Sequence, residues 1–175
     1  MSTFRNLAVC FAGATLLTSG PGHAGPALGQ AATADEIAAW DISIPPNGSG
    51  LPPGSGTTKQ GAAVYAAKCL ACHGANGAGK PADPLVGGIG TLASRSPLKT
   101  VGSYWPYATT LFDYVRRAMP LDRPMSLSND EVYAVSAYIL SLNGIIADDA
   151  TMDAKTLPKV EMPNRNGFVN YWPQR

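Results

Sequence analysis

The sequence Cys69-Leu70-Ala71-Cys72-His73 constrains this chain more than any other feature, because it places two thiols three residues apart with an imidazole directly after the second. This C-x-x-C-H spacing is typical of covalent haem attachment, in which both thiols bond to the porphyrin and the histidine binds the iron. We therefore predict one covalent haem c as the cofactor, with Cys69 and Cys72 as its attachment sites and His73 as an axial ligand of the iron.

Other uses of this motif fit the sequence less well. A structural zinc site needs four ligands, and the rest of the chain beyond residue 24 contains no further cysteine or histidine. A thioredoxin-like redox pair is expected in a βαβ setting, which the sequence pattern does not provide, and a simple disulfide leaves the histidine unexplained. With no second histidine beyond residue 24 to act as acid and base, we expect no catalytic residues and an electron-transfer role rather than an enzyme.

The N-terminus is typical of a secretory signal peptide. Arg5 supplies a positive charge, residues 7–17 form an apolar run too short to span a bilayer, and we expect cleavage after Ala24. Cleavage would remove Cys10 and His23, place the protein in the periplasm and leave no membrane anchor. The alternative, an uncleaved membrane anchor, stays open.

The charge of the chain is nearly balanced, with 13 basic and 12 acidic residues, so neither nucleic acid nor an anionic membrane surface is an expected partner. Glycine and proline are concentrated on both sides of residues 57–76. We divide the chain into a signal peptide at 1–24, an extended Pro/Gly-rich arm at 25–57, a cytochrome c domain at 58–146 and a C-terminal extension at 147–175.

The segment before the motif predicts a helix at residues 59–69, with Thr57 or Thr58 as its N-cap. Gly61, Tyr65 and the first motif cysteine stand four residues apart, so they share one face of that helix. A small residue on this face lets another helix approach closely.

Two further helices are predicted. Residues 106–118 read as a helix with Pro106 in its first turn, and residues 128–142 read as a helix that opens with the capping box formed by Ser128 and Glu131. Apolar residues recur at three- and four-residue spacing along the latter. No segment shows the alternation of a strand, so the fold class is all-α.

The second axial ligand of the iron is expected to be a methionine, which in haem proteins raises the reduction potential. Met119 and Met125 both lie between the motif and the last helix. Met119 is the preferred ligand because Pro120 fixes the chain as it leaves the preceding helix, and Met125 is the alternative. Met152 and Met162 lie in the C-terminal extension, where packing is their expected role.

Several other residues are candidates for contacts around the cofactor. The loop after the motif is expected to supply a carbonyl that accepts a hydrogen bond from Nδ1 of His73, with Pro84 as the candidate. Arg95 and Lys99 either pair with the haem propionates or are solvated loop charges. Three aromatic residues could donate to the propionates or close the haem edge; they are Tyr104, Trp105 and Tyr107.

Four further segments carry a family resemblance: residues 50–57 (GLPPGSGT), 100–114 (TVGSYWPYATTLFDY), 116–120 (RRAMP) and 157–168 with its MPNRNGF end. Together with the haem motif and the capped last helix they resemble class I cytochromes c. The chain is most similar to the cytochrome subunits of sulfite and sulfane dehydrogenases of the sulfur-oxidation (Sox) type, over roughly residues 41–168.

The resemblance implies a class I cytochrome c fold, a few helices around one covalent haem with long irregular N- and C-terminal extensions. It matches Cys69, Cys72 and His73 to the haem attachment and Met119 to the distal ligand. In that family a molybdenum-cofactor dehydrogenase oxidises the sulfur compound and the cytochrome takes its electrons.

The function it implies is that of a periplasmic mono-haem cytochrome that passes electrons from a molybdenum sulfite- or sulfane-type dehydrogenase to the respiratory chain, through a downstream cytochrome or oxidase. The alternative is a general soluble electron carrier between respiratory complexes. The Sox sulfane dehydrogenase cytochrome commonly has two haem domains, whereas this chain has one C-x-x-C-H motif.

Overall fold

The computed structural model of the chain describes residues 29–169 and residue 171. The predicted signal peptide lies outside the described residues. Over the described part the structure is mainly helical, as predicted, and none of its helices is long and apolar enough to cross a membrane. The helices are α1 (Ala34–Trp40), α2 (Thr58–Lys68), α3 (Leu70–His73), α4 (Val101–Tyr104), α5 (Ala108–Ala118) and α6 (Asn129–Leu142). Two short strands, β1 (Ser55–Thr57) and β2 (Thr151–Asp153), complete the regular structure with 3₁₀ turns at Ala75–Gly77 and Leu157–Lys159.

Helix α1 falls at the boundary between two units, Met1–Ala39 and Trp40–Arg175, and has no buried residue. All the other helices and strands belong to the second unit. The cofactor site is therefore built from the second unit.

Helix α2 begins at Thr58 because Thr57 caps it. The Thr57 hydroxyl accepts a hydrogen bond from the backbone N–H of Gln60, and the Gln60 side chain accepts one from the backbone N–H of Thr57. This reciprocal pair satisfies two N–H groups that a helix start otherwise leaves free. The predicted helix before the motif is confirmed, with Thr57 as its cap.

Helices α2 and α6 cross in backbone contact. A Cβ atom on Gly61 would overlap the carbonyl oxygen of Ala134 in α6, so only glycine permits this approach. Tyr65, one turn further along the same face, is buried with its ring 5.4 Å from the ring of Tyr138. The close approach expected of the small residue in α2 is confirmed, and it places the end of α2, where the motif begins, against α6.

The second predicted helix begins at Ala108 instead of Pro106. It follows the short helix α4, which the sequence pattern did not predict and which Thr100 and Ser103 start with a capping box. Helix α4 ends because Trp105, which precedes a proline, adopts an extended backbone conformation. Pro106 therefore lies in the turn between α4 and α5.

The last predicted helix is α6, and its N-cap is Ser128. The Ser128 hydroxyl accepts from the N–H of Glu131, and the Glu131 carboxylate accepts from the N–H of Ser128, as the capping box predicts. Most of α6 is buried, including Val132 and Leu140. Helices α2 and α5 and both strands pack against this helix.

Strands β1 and β2 pair antiparallel, with Gly56 opposite Met152. Each strand has only three residues, which is too short for a period of two to be visible in the sequence. A Cβ atom on Gly56 would overlap the backbone of Ala134, so β1 lies directly against α6. The ladder joins the N-terminal arm to the C-terminal extension at the surface of that helix.

The hydrophobic core draws side chains from both predicted extensions. Ile44 of the arm is buried, and the C-terminal extension contributes Met152, Leu157, Val160 and Met162. The division into arm, domain and extension stays a prediction about domain organisation. In the structure, however, these parts of both extensions pack into one core with α5 and α6.

The α2–α6 crossing generates a stability prediction. Gly61→Ala should lower the free energy of unfolding of the holoprotein by roughly 1–3 kcal/mol, because the added methyl group meets backbone that cannot move aside. Helix propensity alone predicts the opposite sign, since alanine favours a helix over glycine by about 1 kcal/mol. Denaturant unfolding followed by far-UV circular dichroism measures the difference.

The matched control for that variant is Ala66→Gly, on the exposed side of the same helix. This substitution should lower the free energy of unfolding only by the difference in helix propensity between alanine and glycine, about 1 kcal/mol. A Gly61→Ala protein that is more stable than the parent chain would show that the two helices do not meet at this point.

Candidate haem site

A cavity of about 580 Å³ lies between the motif, α5 and α6. This volume falls within the roughly 300–1,000 Å³ that small-molecule and cofactor sites occupy. Its walls are mostly apolar, so they favour a large hydrophobic group and exclude water. The apolar wall includes Leu85, Val101, Leu111, Val115, Val135 and Ile139.

The motif forms one side of this cavity. Cys69 ends α2, the single turn α3 follows, and Cys69, Cys72 and His73 all line the cavity. Both cysteines are free thiols. Burial raises the pKa of the Cys69 thiol to about 11, with a smaller contribution from Cys72 and an opposing one from Lys68.

The loop after the motif orients the imidazole of His73. Its Nδ1 atom lies 3.4 Å from the carbonyl oxygen of Asp83. Because a carbonyl can only accept, a hydrogen bond here requires the tautomer with the proton on Nδ1, and that tautomer leaves Nε2 free for the iron. The expectation that this loop supplies the carbonyl is met, but the residue is Asp83 and the candidate Pro84 is its neighbour.

The same loop folds back onto the backbone of the motif. Gly79 donates its N–H to the carbonyl of His73 (2.8 Å), and Ala82 donates to that of Cys72 (2.9 Å). Gly74 starts the loop at φ +71°, and a Cβ atom there would overlap the carbonyl oxygen of Gly79. The glycines therefore let the loop close tightly beneath the histidine.

The two methionine candidates occupy different environments. Met119 is the C-cap of α5, donates its N–H to the carbonyl of Val115 (3.1 Å), and lines the cavity with the motif. Met125 is 61% exposed and does not line the cavity. Met152 and Met162 are buried in the core, in keeping with a packing role. The structure thus brings Met119, and not Met125, to the same cavity as His73.

Of the three aromatic candidates, only Trp105 lines the cavity. It packs edge-on against Tyr114 of α5, with ring centroids 5.6 Å apart, and Tyr114 also lines the cavity. Tyr104 and Tyr107 lie outside the lining. Tyr114 was missed by sequence reasoning, although it stands three residues after the lining residue Leu111 on the same helix face.

The basic candidates Arg95 and Lys99 do not line the cavity and are exposed. The Lys99 ammonium lies 5.1 Å from the centre of the Tyr104 ring, a cation–π distance. The arrangement therefore favours the interpretation of Arg95 and Lys99 as solvated loop charges over their pairing with the haem propionates.

Asn143 is a second residue that sequence reasoning missed, since the sequence marked it only as the end of α6. Its side-chain amide donates to the carbonyls of Leu85 (3.2 Å) and Ile139 (2.9 Å), and its Oδ1 accepts from the N–H of Gly87 (3.2 Å). It is buried, so these bonds satisfy an otherwise costly polar group. Asn143 thereby fixes the loop that carries Leu85 into the cavity wall.

An ion pair ties the motif to the start of α6. Lys68, which lines the cavity next to Cys69, lies 2.5 Å from the carboxylate of Glu131. Hydrogen bonds from Lys68 and then from the Ser128 backbone hold the pKa of Glu131 below its usual value. The same carboxylate therefore caps one helix and holds the end of another.

The donor set and the cavity fit a covalent haem. Two free thiols, an imidazole with a free Nε2 and a methionine thioether face one apolar cavity, and His/Met ligation is that of cytochromes c. Fold and site together define a c-type cytochrome with a single haem site among the described residues. The assignment of Cys69 and Cys72 as attachment sites and of His73 and Met119 as axial ligands stays a prediction.

Comparisons with known proteins agree with this class. The family model for cytochrome c matches residues 58–143. Among solved structures, a chain of the sulfane dehydrogenase SoxCD from Paracoccus pantotrophus is 42% identical, with a TM-score of 0.77, and the match covers 82% of this chain and 71% of that chain. The search of curated proteins found no match.

The chain belongs to the cytochrome c family, and haem c is its cofactor. It is an electron carrier with the class I cytochrome c fold, and this fold fits a non-catalytic haem subunit. The predicted family and fold class are confirmed.

The two methionines can be separated by substitution. Met119→Ala should abolish the near-infrared absorption band that a methionine–iron bond gives the oxidised protein. It should also lower the reduction potential, because a thioether ligand raises it. Met125→Ala is the matched control and should leave both unchanged. Loss of the band in Met125→Ala with its retention in Met119→Ala would reverse the assignment.

The Glu131 ion pair generates a pH prediction. Because the folded-state pKa of Glu131 is lowered, its contribution to stability is present above the unfolded pKa and is lost as the pH falls through the folded pKa. Glu131→Gln keeps an oxygen for the Ser128 cap but loses the ion pair with Lys68. The substitution should lower the free energy of unfolding by about 0.2–1 kcal/mol near neutral pH. It should have no effect at pH values below the pKa of Glu131 in the folded protein.

Thermal unfolding of the two proteins across this pH range measures that difference. Lys68→Gln should reproduce it, because it removes the same pair from the other side. A constant stability difference between parent and Glu131→Gln at all pH values would contradict the assignment.

Proposed function

We propose that this cytochrome is the periplasmic electron acceptor of a molybdenum sulfite- or sulfane-type dehydrogenase and passes the electrons on to the respiratory chain. In this proposal Cys69 and Cys72 carry the haem, and His73 and Met119 are its axial ligands. The observation that carries it is the 42% identity with a chain of the sulfane dehydrogenase SoxCD over 82% of this chain.

The extent of that similarity supports a specific partner. The cytochrome c family model covers residues 58–143, about half of the chain, whereas the similarity to the sulfane dehydrogenase chain reaches well beyond them. A match over 82% of this chain necessarily includes residues outside 58–143, where parts of the arm and of the C-terminal extension supply Ile44, Met152 and Leu157 to the core. The similarity to a chain of a dehydrogenase is therefore not confined to the residues that the haem family model matches.

The residues around the cavity suit a haem that transfers electrons. Bound haem supplies a one-electron redox centre. The chain's own residues orient the imidazole through Asp83, hold Met119 at the end of α5 and keep water away with an apolar wall. Among the described residues that line the cavity, His73 is the one histidine, and in this proposal its imidazole binds the iron instead of acting as a general acid or base.

The periplasmic location is supported by the N-terminal pattern of Arg5 and the apolar run at 7–17. The downstream cytochrome or oxidase is part of the proposal and rests on the family resemblance alone. The alternative, a general soluble carrier between respiratory complexes, shares the same haem site.

Reduction kinetics test the proposed partner. The oxidised cytochrome, mixed with sulfite or a sulfane sulfur compound, should be reduced slowly alone and at least tenfold faster when a molybdenum dehydrogenase of this type is added. Stopped-flow absorption of the reduced haem band measures both rates. The control is an unrelated c-type cytochrome of similar potential, which the same dehydrogenase should reduce more slowly.

Equal rates for the two cytochromes would contradict a dedicated partner and favour the general carrier. Co-purification of the cytochrome with the dehydrogenase in a fixed ratio would support the dedicated partner, since transient electron-transfer encounters bury little surface.

A further inference from the structure

The arm is held along α5 by three hydrogen bonds, one for each turn of the helix. The Thr109 hydroxyl donates to the carbonyl of Pro46 (3.4 Å), the N–H of Ile44 donates to Oδ1 of Asp113 (3.0 Å), and Nη1 of Arg116 donates to the carbonyl of Ile42 (3.4 Å). We call residues 42–46, held in this way, the strap. The order of the partners shows that the strap runs antiparallel to α5.

The contacts have different residue spacings in the strap and in α5, but the distances between them along the two segments are similar. Residues at every second position of the strap meet helix residues three or four positions apart. Two residues of extended chain advance about 6.5 Å, and three to four residues of helix advance about 5 Å, so the two spacings nearly agree. The strap can therefore contact the same face of α5 along its whole length.

Asp113 is the central contact of the strap. It is 9% exposed, and its carboxylate accepts from Ile44 and forms an ion pair with Arg117 one turn later. A buried carboxylate is costly unless it is paired, so releasing the strap would leave part of this charge without its partner. Because Ile44 is also buried, the strap and α5 are fixed to each other by both charge and packing.

Other residues of α5 face the cofactor cavity. Leu111, Val115 and Met119 line it, and Met119 caps the helix through its N–H bond to Val115. Helix α5 therefore lies between the strap and the haem cavity. A shift of the helix would displace Met119 relative to His73, since both belong to the wall of that cavity.

We propose that Asp113 is a positioning residue for the axial methionine: by anchoring the strap to α5 it keeps Met119 on the iron and sets the reduction potential. This inference rests on the assignment of Met119 in the proposed function. It does not depend on which dehydrogenase is the partner.

Binding of imidazole to the oxidised holoprotein tests the proposal, because an external ligand can reach the iron only when the methionine leaves it. Asp113→Ala should let imidazole bind about tenfold faster, because it removes a hydrogen bond to a charged group. The reduction potential should fall in the same variant. Asp113→Asn keeps an oxygen for Ile44 and should restore much of the parent behaviour.

Two further variants separate positioning from general loosening. Tyr133→Phe removes the hydroxyl that donates to the carbonyl of Pro52 (2.9 Å), a contact of the arm with α6, and keeps the buried ring. It should lower stability without changing imidazole binding. Arg116→Gln removes the charge and shortens the half-buried side chain that donates to the carbonyl of Ile42. Its imidazole binding tests the proposal if Asp113→Ala does not retain haem.

The outcomes are distinct. Faster imidazole binding in Asp113→Ala or Arg116→Gln, but not in Tyr133→Phe, supports the proposal. Unchanged binding in a folded Asp113→Ala protein, or in Arg116→Gln where Asp113→Ala does not retain haem, overturns it, and so do equal changes in Asp113→Ala and Tyr133→Phe. If the parent protein lacks the methionine–iron band, the ligand assignment fails, and the inference that rests on it fails for that separate reason.

Discussion

The backbone of α2 touches the backbone of α6 at Gly61 and Ala134, and this contact fixes where the haem motif lies. A helix pair normally keeps its axes 8–10 Å apart because side chains separate them. Here a missing side chain removes that spacer on one side. The end of α2, and with it Cys69, is thereby held close to the long buried helix that forms one wall of the cavity. Lys68 and Glu131 fix the same junction at the surface.

The sequence could predict what local chemistry determines. The motif, the capping box at Ser128 and the small residue at Gly61 each depend on neighbours within a few positions, and the structure contains all three features. The start of α5 was placed two residues too early, because a proline suits a first helical turn as well as the turn before a helix.

The parts that could not be predicted depend on partners distant in sequence. Asp113 and Ile44 are 69 residues apart, and Asn143 and Leu85 are 58 apart. A buried aspartate and a helix-ending asparagine have no local pattern that distinguishes them from solvated residues. Strand β1 likewise depends on its pairing with β2, and neither three-residue strand has a sequence pattern that predicts a strand. The irregular, proline-rich composition of the extensions indicated loops correctly but did not reveal that they contribute to the core.

The pairing of β1 with β2 has a consequence for the order in which the protein is completed. Residue 56 is synthesised before the haem motif, yet its partner Met152 comes nearly one hundred residues later. The ladder on α6 therefore cannot close until almost the whole chain exists, whereas both thiols and the histidine are available much earlier. The pairing of β1 with β2 over α6 is therefore a late step. Before it, the haem motif is already present in a chain whose two strands are not yet paired.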